Sequence, residues 1–204
     1  MLPLVVNIEG QPAVVIGGGK IACRKIRKLL SAGAVITVVS PRLCSDVQNM
    51  VDEKLLKWKR KRFSPEDLKG AWIVIAATDD ADTNRQVAQA AEPRQLVNVA
   101  RPSKAGNVHF PALLQRGKLT VAVSTSGTSP GLAAHIRDEL AAVLDDAYAG
   151  YLEFLSKCRE WIENNVAAEK DRQRLLARLL DPKYKTSPKE RENFVSELKN
   201  GVDK

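Results

Sequence analysis

The chain has 204 residues, of which 44% are hydrophobic and 27% charged, the composition of a soluble globular protein with one or two domains. No stretch approaches the roughly 20 apolar residues that cross a bilayer, and the N-terminus lacks a secretory signal pattern, so we expect no membrane association or secretion. Three scattered cysteines form neither a disulfide framework nor a paired metal motif, which favours a cytoplasmic protein.

The charge balance is strongly basic. Lysine and arginine number 32 against 24 acidic residues, a net charge of +8 that favours an anionic partner. Nucleic acid, a phosphorylated cofactor and a polycarboxylate all satisfy this condition. The densest basic run, Lys57–Arg62, is more typical of an edge strand protected by lysines than of a nucleic-acid patch. We therefore expect no nucleic-acid partner.

The first hundred residues alternate short apolar runs with helical patterns, which predicts parallel strands joined by right-handed helical crossovers. The predicted strands are 13–16, 35–39, a short one from about residue 56, 71–77 and 96–99, and the predicted helices begin near residues 22, 44 and 81. Gly33 follows the first helix at the C-cap position. This half of the chain is predicted to be an α/β domain with a Rossmann-like doubly wound parallel sheet.

The pattern changes after residue 102. One strand is predicted over residues 118–124, followed by a polar turn and a helix that Ser129 and Pro130 begin with an N-cap and a first-turn proline. Beyond residue 147 we predict only amphipathic helices, at about 151–166, 171–180 and 189–198.

A glycine motif joins the first predicted strand to the first helix. Gly17, Gly18 and Gly19, with Lys20, Ile21 and Ala22 after them, fit the G-x-G-x-x-A form of the dinucleotide fingerprint. Gly17 permits the tight turn, Gly19 lets the backbone approach a pyrophosphate, and the helix N-terminus faces the phosphates. The alternative is a glycine-rich turn without a ligand.

The end of the second strand lacks the acid that usually holds the adenosine ribose. Ser40, Pro41 and Arg42 stand there, so a ribose contact must come from the Ser40 hydroxyl or from the backbone. Arg42 raises the possibility of a 2′-phosphate, and the motif alone leaves NAD and NADP open.

Further polar residues follow the fourth and fifth strands, at the edge where open α/β sheets bind ligands. Thr78 and Asp79 end the fourth strand and Asn98 and Val99 the fifth. At least one of the aspartates in this segment is expected to cap the next helix. The two histidines, His109 and His135, form no metal or catalytic cluster by spacing, and no metal site is expected.

Taken in order, these blocks resemble the dehydrogenase/chelatase proteins of sirohaem synthesis. The resemblance spans about residues 1–145 and is most specific in Phe110-Pro111 and in the segment from Val121 to Pro130. It implies an NAD-binding domain over residues 1–113, a dimerisation region over 114–146, a helical domain over 147–204, and a substrate cleft at the interface of a homodimer. The implied reaction is NAD-dependent hydride abstraction from precorrin-2, with loss of a proton, to give sirohydrochlorin.

One position departs from the family pattern. Family members carry an aspartate three residues after the asparagine that ends the fifth strand, and here that position is Arg101. The departure leaves the proton acceptor unidentified and makes metal insertion the less expected activity, so a separate chelatase is a possible downstream partner. Thr125 stands where a serine of the fused family members meets the substrate region.

The resulting hypothesis is a homodimeric, cytoplasmic precorrin-2 dehydrogenase that uses NAD. The predicted cofactor contacts are Gly17, Gly18, Gly19, Lys20, Ile21, Ser40, Pro41, Arg42, Thr78, Asp79, Asn98 and Val99. The predicted substrate contacts are Arg101, Ser124, Thr125, Gly127 and Thr128. Alternatives are a bifunctional dehydrogenase and ferrochelatase, a nucleotide-sensing DNA-binding regulator, and a tetrapyrrole carrier without turnover.

Overall fold

The computed structural model describes residues 1–201 and contains two compact units, Met1–Phe110 and a second that begins at Pro111. The first unit holds a five-stranded parallel sheet of order β3-β2-β1-β4-β5. Its strands are β1 (Pro12–Ile16), β2 (Val35–Val39), β3 (Lys57–Lys59), β4 (Ile73–Ala76) and β5 (Leu96–Val99). Its helices are α1 (Lys20–Ser31), α2 (Ser45–Asp52) and α3 (Ala81–Ala90), with 3₁₀ turns at Pro65–Leu68 and Ser103–Ala105.

Helices cover both faces of this sheet. On one face, Val15 of β1 and Ile75 of β4 pack in a cluster that includes Ile26 of α1. On the other face, Val74 of β4 packs in a second cluster that includes Val87 of α3. All four residues of β4 are buried, which is why its sequence is apolar throughout. The predicted doubly wound parallel sheet is confirmed.

Helix α1 ends as its sequence predicts. Gly33 has φ of +77°, a left-handed conformation that glycine adopts at little cost, and its N–H donates to the carbonyl of Leu30 at 2.9 Å. The chain then enters β2 at Val35.

The second unit begins with a two-stranded antiparallel sheet, β6 (Ala112–Arg116) and β7 (Leu119–Val123), followed by α4 (Pro130–Val143). Four helices follow: α5 (Ala147–Asn165), α6 (Glu169–Arg178), α7 (Lys183–Thr186) and α8 (Pro188–Gly201). The helical part has its own core, in which Phe154 packs against Tyr184 and Phe194 with ring centroids 5.5 and 6.0 Å apart. The last three residues of the predicted helical domain, 202–204, lie outside the described residues.

Two elements of this unit were not predicted, β6 and the short α7. In β6 only Leu114 is buried, so the strand has no apolar pattern of its own. Its pairing with β7 through the turn at Gly117, whose φ is +55°, is what defines it. A strand whose side chains are mostly exposed is recognisable only from its partner.

No helix within residues 1–201 is long and apolar enough to span a membrane.

Candidate functional site

The glycine loop after β1 lies where the ends of three strands meet. Gly17 has φ of +116°, and its N–H donates to the carbonyl of Val39 at the end of β2. A Cβ built on Gly17 would overlap the carbonyl of Ala77, just beyond β4. Both the conformation and the lack of space require glycine here, as the fingerprint predicts.

Gly18 and Gly19 have opposite surroundings. A Cβ on Gly18 would overlap the backbone of Arg42 and come within 2.7 Å of Leu43, because the loop after β2 packs directly on the glycine loop. The N–H of Cys44 donates to the Gly18 carbonyl at 2.8 Å and fixes this contact. A Cβ on Gly19, by contrast, meets no atom within 4 Å. The protein's own packing requires glycine at 17 and 18, and at 19 it leaves open space.

Helix α1 begins at that open space. Gly19 is its N-cap, and within the described chain no side chain caps it and no acid occupies its first turn. The first amide groups of a helix have no intrahelical acceptor, and the helix dipole favours an anion beside them. The exposed Lys20 adds a positive charge. A helix N-terminus without a side-chain cap, next to the open space beside Gly19, fits the pyrophosphate of a dinucleotide.

The end of β2 carries the predicted ribose contacts. Ser40 is buried, and its hydroxyl donates to the Arg42 carbonyl at 2.7 Å. That hydroxyl keeps its lone pairs, so it can still accept a hydrogen bond from a ribose hydroxyl. Pro41 and the Arg42 side chain are exposed.

The ends of β4 and β5 are joined by a residue absent from the predicted contacts, Asn84 in the first turns of α3. Its side chain is 1% exposed, accepts from the Thr78 N–H and hydroxyl at 3.0 and 2.8 Å, and donates to the Arg101 carbonyl at 3.0 Å. Asn84 thus holds the loop after β4 and the loop after β5 together. A polar residue on the inner face of an amphipathic helix is the sequence signal that could have revealed it.

The two aspartates after β4 have different roles. Asp80 caps α3, accepting from the N–H groups of Asp82 and Thr83 at 3.1 Å, which confirms the expected cap. The Thr83 hydroxyl and these amides hold the pKa of the Asp80 carboxyl below its usual value. Asp79 is exposed at the same strand end.

Asn98 is buried on the α1 side of the sheet. Its amide donates to the Val108 carbonyl at 2.7 Å, and its oxygen accepts from Lys25 Nζ at 2.5 Å. Burial, with Arg24 and Lys28 nearby, lowers the pKa of Lys25 to about 8, and its ammonium lies 4.9 Å from the centre of the Phe110 ring. The side chain of Asn98 is thus engaged within the domain, and its predicted cofactor contact stays a prediction. Val99 is buried, whereas Arg101 is exposed in the loop that follows.

The predicted substrate turn, Ser124–Ser129, lies in the second unit and closes on itself. The Thr125 hydroxyl donates to the Ser129 carbonyl at 2.9 Å and accepts from the Ser129 N–H at 3.0 Å. Ser129 caps α4, as predicted. Ser124, Gly127 and Thr128 are exposed, so they can contact a ligand, while Thr125 shapes the turn.

Within residues 1–201, no three or more His, Cys, Asp or Glu side chains gather as a metal ion would need.

Comparison with known proteins covers the chain in three consecutive segments. A family model described as "Putative NAD(P)-binding" matches residues 4–112, "Sirohaem biosynthesis protein central" matches 116–142, and "SirC C-terminal domain" matches 148–194.

Two relatives named precorrin-2 dehydrogenase match over nearly their full length. The precorrin-2 dehydrogenase of Priestia megaterium is 33% identical over 97% of this chain and 98% of its own length. The precorrin-2 dehydrogenase of Bacillus subtilis (strain 168) is 38% identical over 78% of this chain and 98% of its own length. A solved structure titled "SirC, precorrin-2 dehydrogenase" aligns with a TM-score of 0.87 and 32% identity, over 98% of this chain and 100% of its own. The siroheme synthase of Zymomonas mobilis is 38% identical, but the chain spans only 36% of it. With this end-to-end similarity, and a dinucleotide loop in the expected place, the chain belongs to the precorrin-2 dehydrogenase family of sirohaem biosynthesis.

Proposed function

We propose that this protein catalyses the NAD-dependent dehydrogenation of precorrin-2 to sirohydrochlorin. One observation carries the proposal: the chain matches named precorrin-2 dehydrogenases end to end. The open, uncapped dinucleotide loop agrees with it. The sequence identity supports the dehydrogenation of precorrin-2 as the reaction, and the geometry of the glycine loop supports NAD as the cofactor.

NAD, when bound, supplies the hydride acceptor. The chain's own residues would bind and orient it: the amides at the start of α1 would hold the pyrophosphate, and Ser40 would accept from the adenosine ribose. Asn84 would keep the two strand ends beside the cofactor in register through its contacts with Thr78 and Arg101. Catalysis would rest mainly on holding the two reactants in one geometry.

The substrate is a polycarboxylate, and we propose that exposed cationic and hydroxyl groups bind it. Arg101 would contact a carboxylate, and Ser124, Gly127 and Thr128 would present hydroxyl and amide groups from the substrate turn. Dehydrogenation also releases a proton, which Arg101 cannot accept. Of the two carboxylates after β4, Asp80 is occupied as a helix cap, which leaves Asp79 accessible to a bound ligand.

We further propose a cytoplasmic homodimer in which residues 1–113 bind NAD, 114–146 form the dimerisation region and 147–204 form a helical domain. Within residues 111–146, all of which the structure describes, Leu114 and Ala133 are the hydrophobic residues buried, while Leu113, Leu132 and Val143 are exposed. A segment so poor in buried apolar surface favours burial against another chain.

An anaerobic assay tests the reaction. Purified protein, enzymatically made precorrin-2 and NAD are mixed, and NADH formation is followed together with the absorption of sirohydrochlorin. We expect both signals to rise in a one-to-one ratio, with no NADH formed when precorrin-2 is omitted.

Three other results would favour the alternative functions. Fe²⁺-dependent conversion of supplied sirohydrochlorin without NAD would indicate a bifunctional chelatase. Binding of both ligands without turnover would indicate a carrier, and neither outcome is expected. A salt-dependent shift of duplex DNA at physiological ionic strength would instead favour a regulator.

A further inference from the structure

Two arginines at the ends of β2 and β3 have no acidic partner within residues 1–201. Some other arginines form ion pairs, such as Arg27 with Asp46 at 2.7 Å and Arg178 with Glu197 at 2.8 Å. Arg42, which follows β2, is exposed and makes no such contact with a described residue. Unpaired guanidinium groups are strong receptors for phosphate and carboxylate.

Arg60 is held beside the end of β2 by Trp58. The Trp58 Nε1–H donates to the Ser40 carbonyl at 2.9 Å, and the N–H of Ser40 donates to the Lys59 carbonyl at 3.2 Å. The Arg60 guanidinium lies 5.6 Å from the centre of the Trp58 ring. Trp58 therefore contacts both the predicted ribose residue and this second unpaired arginine.

Arg42 is fixed against the glycine loop through its backbone. Its carbonyl oxygen accepts a hydrogen bond from the Ser40 hydroxyl at 2.7 Å. The same oxygen lies so close to the α-carbon of Gly18 that a Cβ on that residue would overlap it. The Arg42 side chain therefore starts from the loop that packs against Gly18, the residue before the open space at Gly19, and it is exposed to solvent.

The neighbouring lysines are not part of this receptor. Asp67, which is buried, pairs with Lys59 at 3.3 Å and with Lys61 at 2.8 Å. Both ammonium groups are engaged by this one carboxylate, which offsets one of their two charges. Arg42 and Arg60 form no ion pair with a described residue and stand just after β2 and β3, beside the predicted ribose contact Ser40.

A dinucleotide with its pyrophosphate at the start of α1 places its adenosine ribose at the end of β2. An acidic residue there accepts from the 2′-hydroxyl and repels a 2′-phosphate, and this chain has a serine and two unpaired arginines instead. We propose that Arg42, supported by Arg60, binds a 2′-phosphate, so that the cofactor site takes NADP as well as NAD. The inference rests on the proposed cofactor site.

Calorimetric titration of the full chain with adenosine 2′,5′-bisphosphate and adenosine 5′-monophosphate tests this directly, without turnover. We expect the 2′-phosphate to tighten binding about tenfold or more in 0.15 M salt, as one charge-assisted arginine contact would. Adenosine 3′,5′-bisphosphate carries the same charge at a different position, and we expect it to show a much smaller gain.

Variants assign the effect to residues. Arg42→Ala should remove most of the gain from the 2′-phosphate while changing the affinity for the monophosphate by less than about twofold, and Arg60→Ala should remove a smaller part. Arg94→Ala is the matched control, because Arg94 is also exposed but precedes β5 at the opposite edge of the sheet, and we expect this variant to bind all three ligands as the unmodified chain does.

Three results would overturn the inference. Equal affinity for the two bisphosphates would mean that net charge alone attracts them. Equal losses for monophosphate and bisphosphate in Arg42→Ala would place the arginine on a group that the two ligands share, and not on the 2′-phosphate. NAD binding without any gain from the 2′-phosphate would remove this inference alone, whereas failure of NAD and every adenosine ligand to bind would remove the cofactor site as well.

Discussion

The two sheets of the molecule are buried to very different extents. In the five-stranded sheet of the first unit, every residue of β4 is buried and clusters of apolar side chains cover both faces. In the two-stranded sheet of the second unit, β7 has no buried residue and β6 has one, Leu114. The first sheet is buried on both faces, whereas the second stays largely exposed although α4 packs against both of its strands.

This difference separates the roles of the two regions. A fully covered sheet provides a rigid frame whose strand ends can hold a ligand site to a fixed geometry. A two-stranded sheet is marginal in water on its own, and here the packing of α4 against both strands leaves most of their side chains partly or fully exposed. We therefore propose that the first region binds the cofactor and that the second associates with another chain, and four predictions test this division.

The largest effect on folding is expected at Gly17. Gly17→Ala should lower the free energy of unfolding by about 3 kcal/mol or more, because φ of +116° is strained for alanine and its Cβ would overlap the Ala77 carbonyl. Urea unfolding measures the loss. Gly19→Ala, whose Cβ meets nothing within 4 Å, is the control and should cost less than about 1 kcal/mol. Equal losses in the two variants would contradict the assigned loop geometry.

The largest effect on binding is expected at Gly19. Gly19→Asp should weaken NAD binding at least about 100-fold, because its carboxylate would occupy and repel the pyrophosphate position. Aspartate is also a favoured N-cap, so the variant should fold with unchanged or higher stability. Gly19→Asn caps the helix without a charge, and its smaller loss of affinity would separate repulsion from crowding. A folded aspartate variant with normal NAD affinity would refute the site.

The second region should lose association rather than folding when its exposed apolar face is charged. Leu132→Glu on α4, where Leu132 is 50% exposed, should convert a dimer to monomer, as measured by sedimentation velocity. Leu180→Glu is the control, since Leu180 is 69% exposed but lies in the helical part with its own core. A dimer that survives Leu132→Glu unchanged would move the proposed interface elsewhere.

The contrast between the regions also decides what the sequence could predict. The strands β2 and β5 have the predicted bounds because both are short, mostly apolar segments that are followed by polar loops. The glycine loop and the Asp80 cap follow from local rules of backbone conformation and hydrogen bonding. Each of these features depends on a few neighbouring residues.

Features that depend on distant partners could not be predicted. The β6 strand is defined by β7. Asn84 stands out in the sequence as a polar residue on the inner face of α3, but its hydrogen bonds to Thr78 and to the Arg101 carbonyl require both strand ends to be placed. Lys25 binds Asn98 across 73 positions of sequence. Sequence periodicity carries no information about such pairs. The hydrogen bonds of Asn84, Lys25 and Asn98 behind the strand ends are therefore evident only from the three-dimensional structure.

The smallest predicted effect concerns this Lys25. Burial lowers its pKa from 10.5 to about 8 in the folded protein, whereas in the unfolded chain the amine keeps its proton up to the ordinary value. Between pH 8 and 10.5 the unfolded state therefore binds more protons, and the free energy of unfolding should rise with pH. Because water screens the partly exposed amine, we expect a rise of about 1 kcal/mol relative to Lys25→Met, measured by urea unfolding at pH 7 and pH 10. Groups other than Lys25 titrate in both proteins and cancel in the difference. Parallel pH profiles would show that the Lys25 amine is as well solvated in the folded domain as in the unfolded chain.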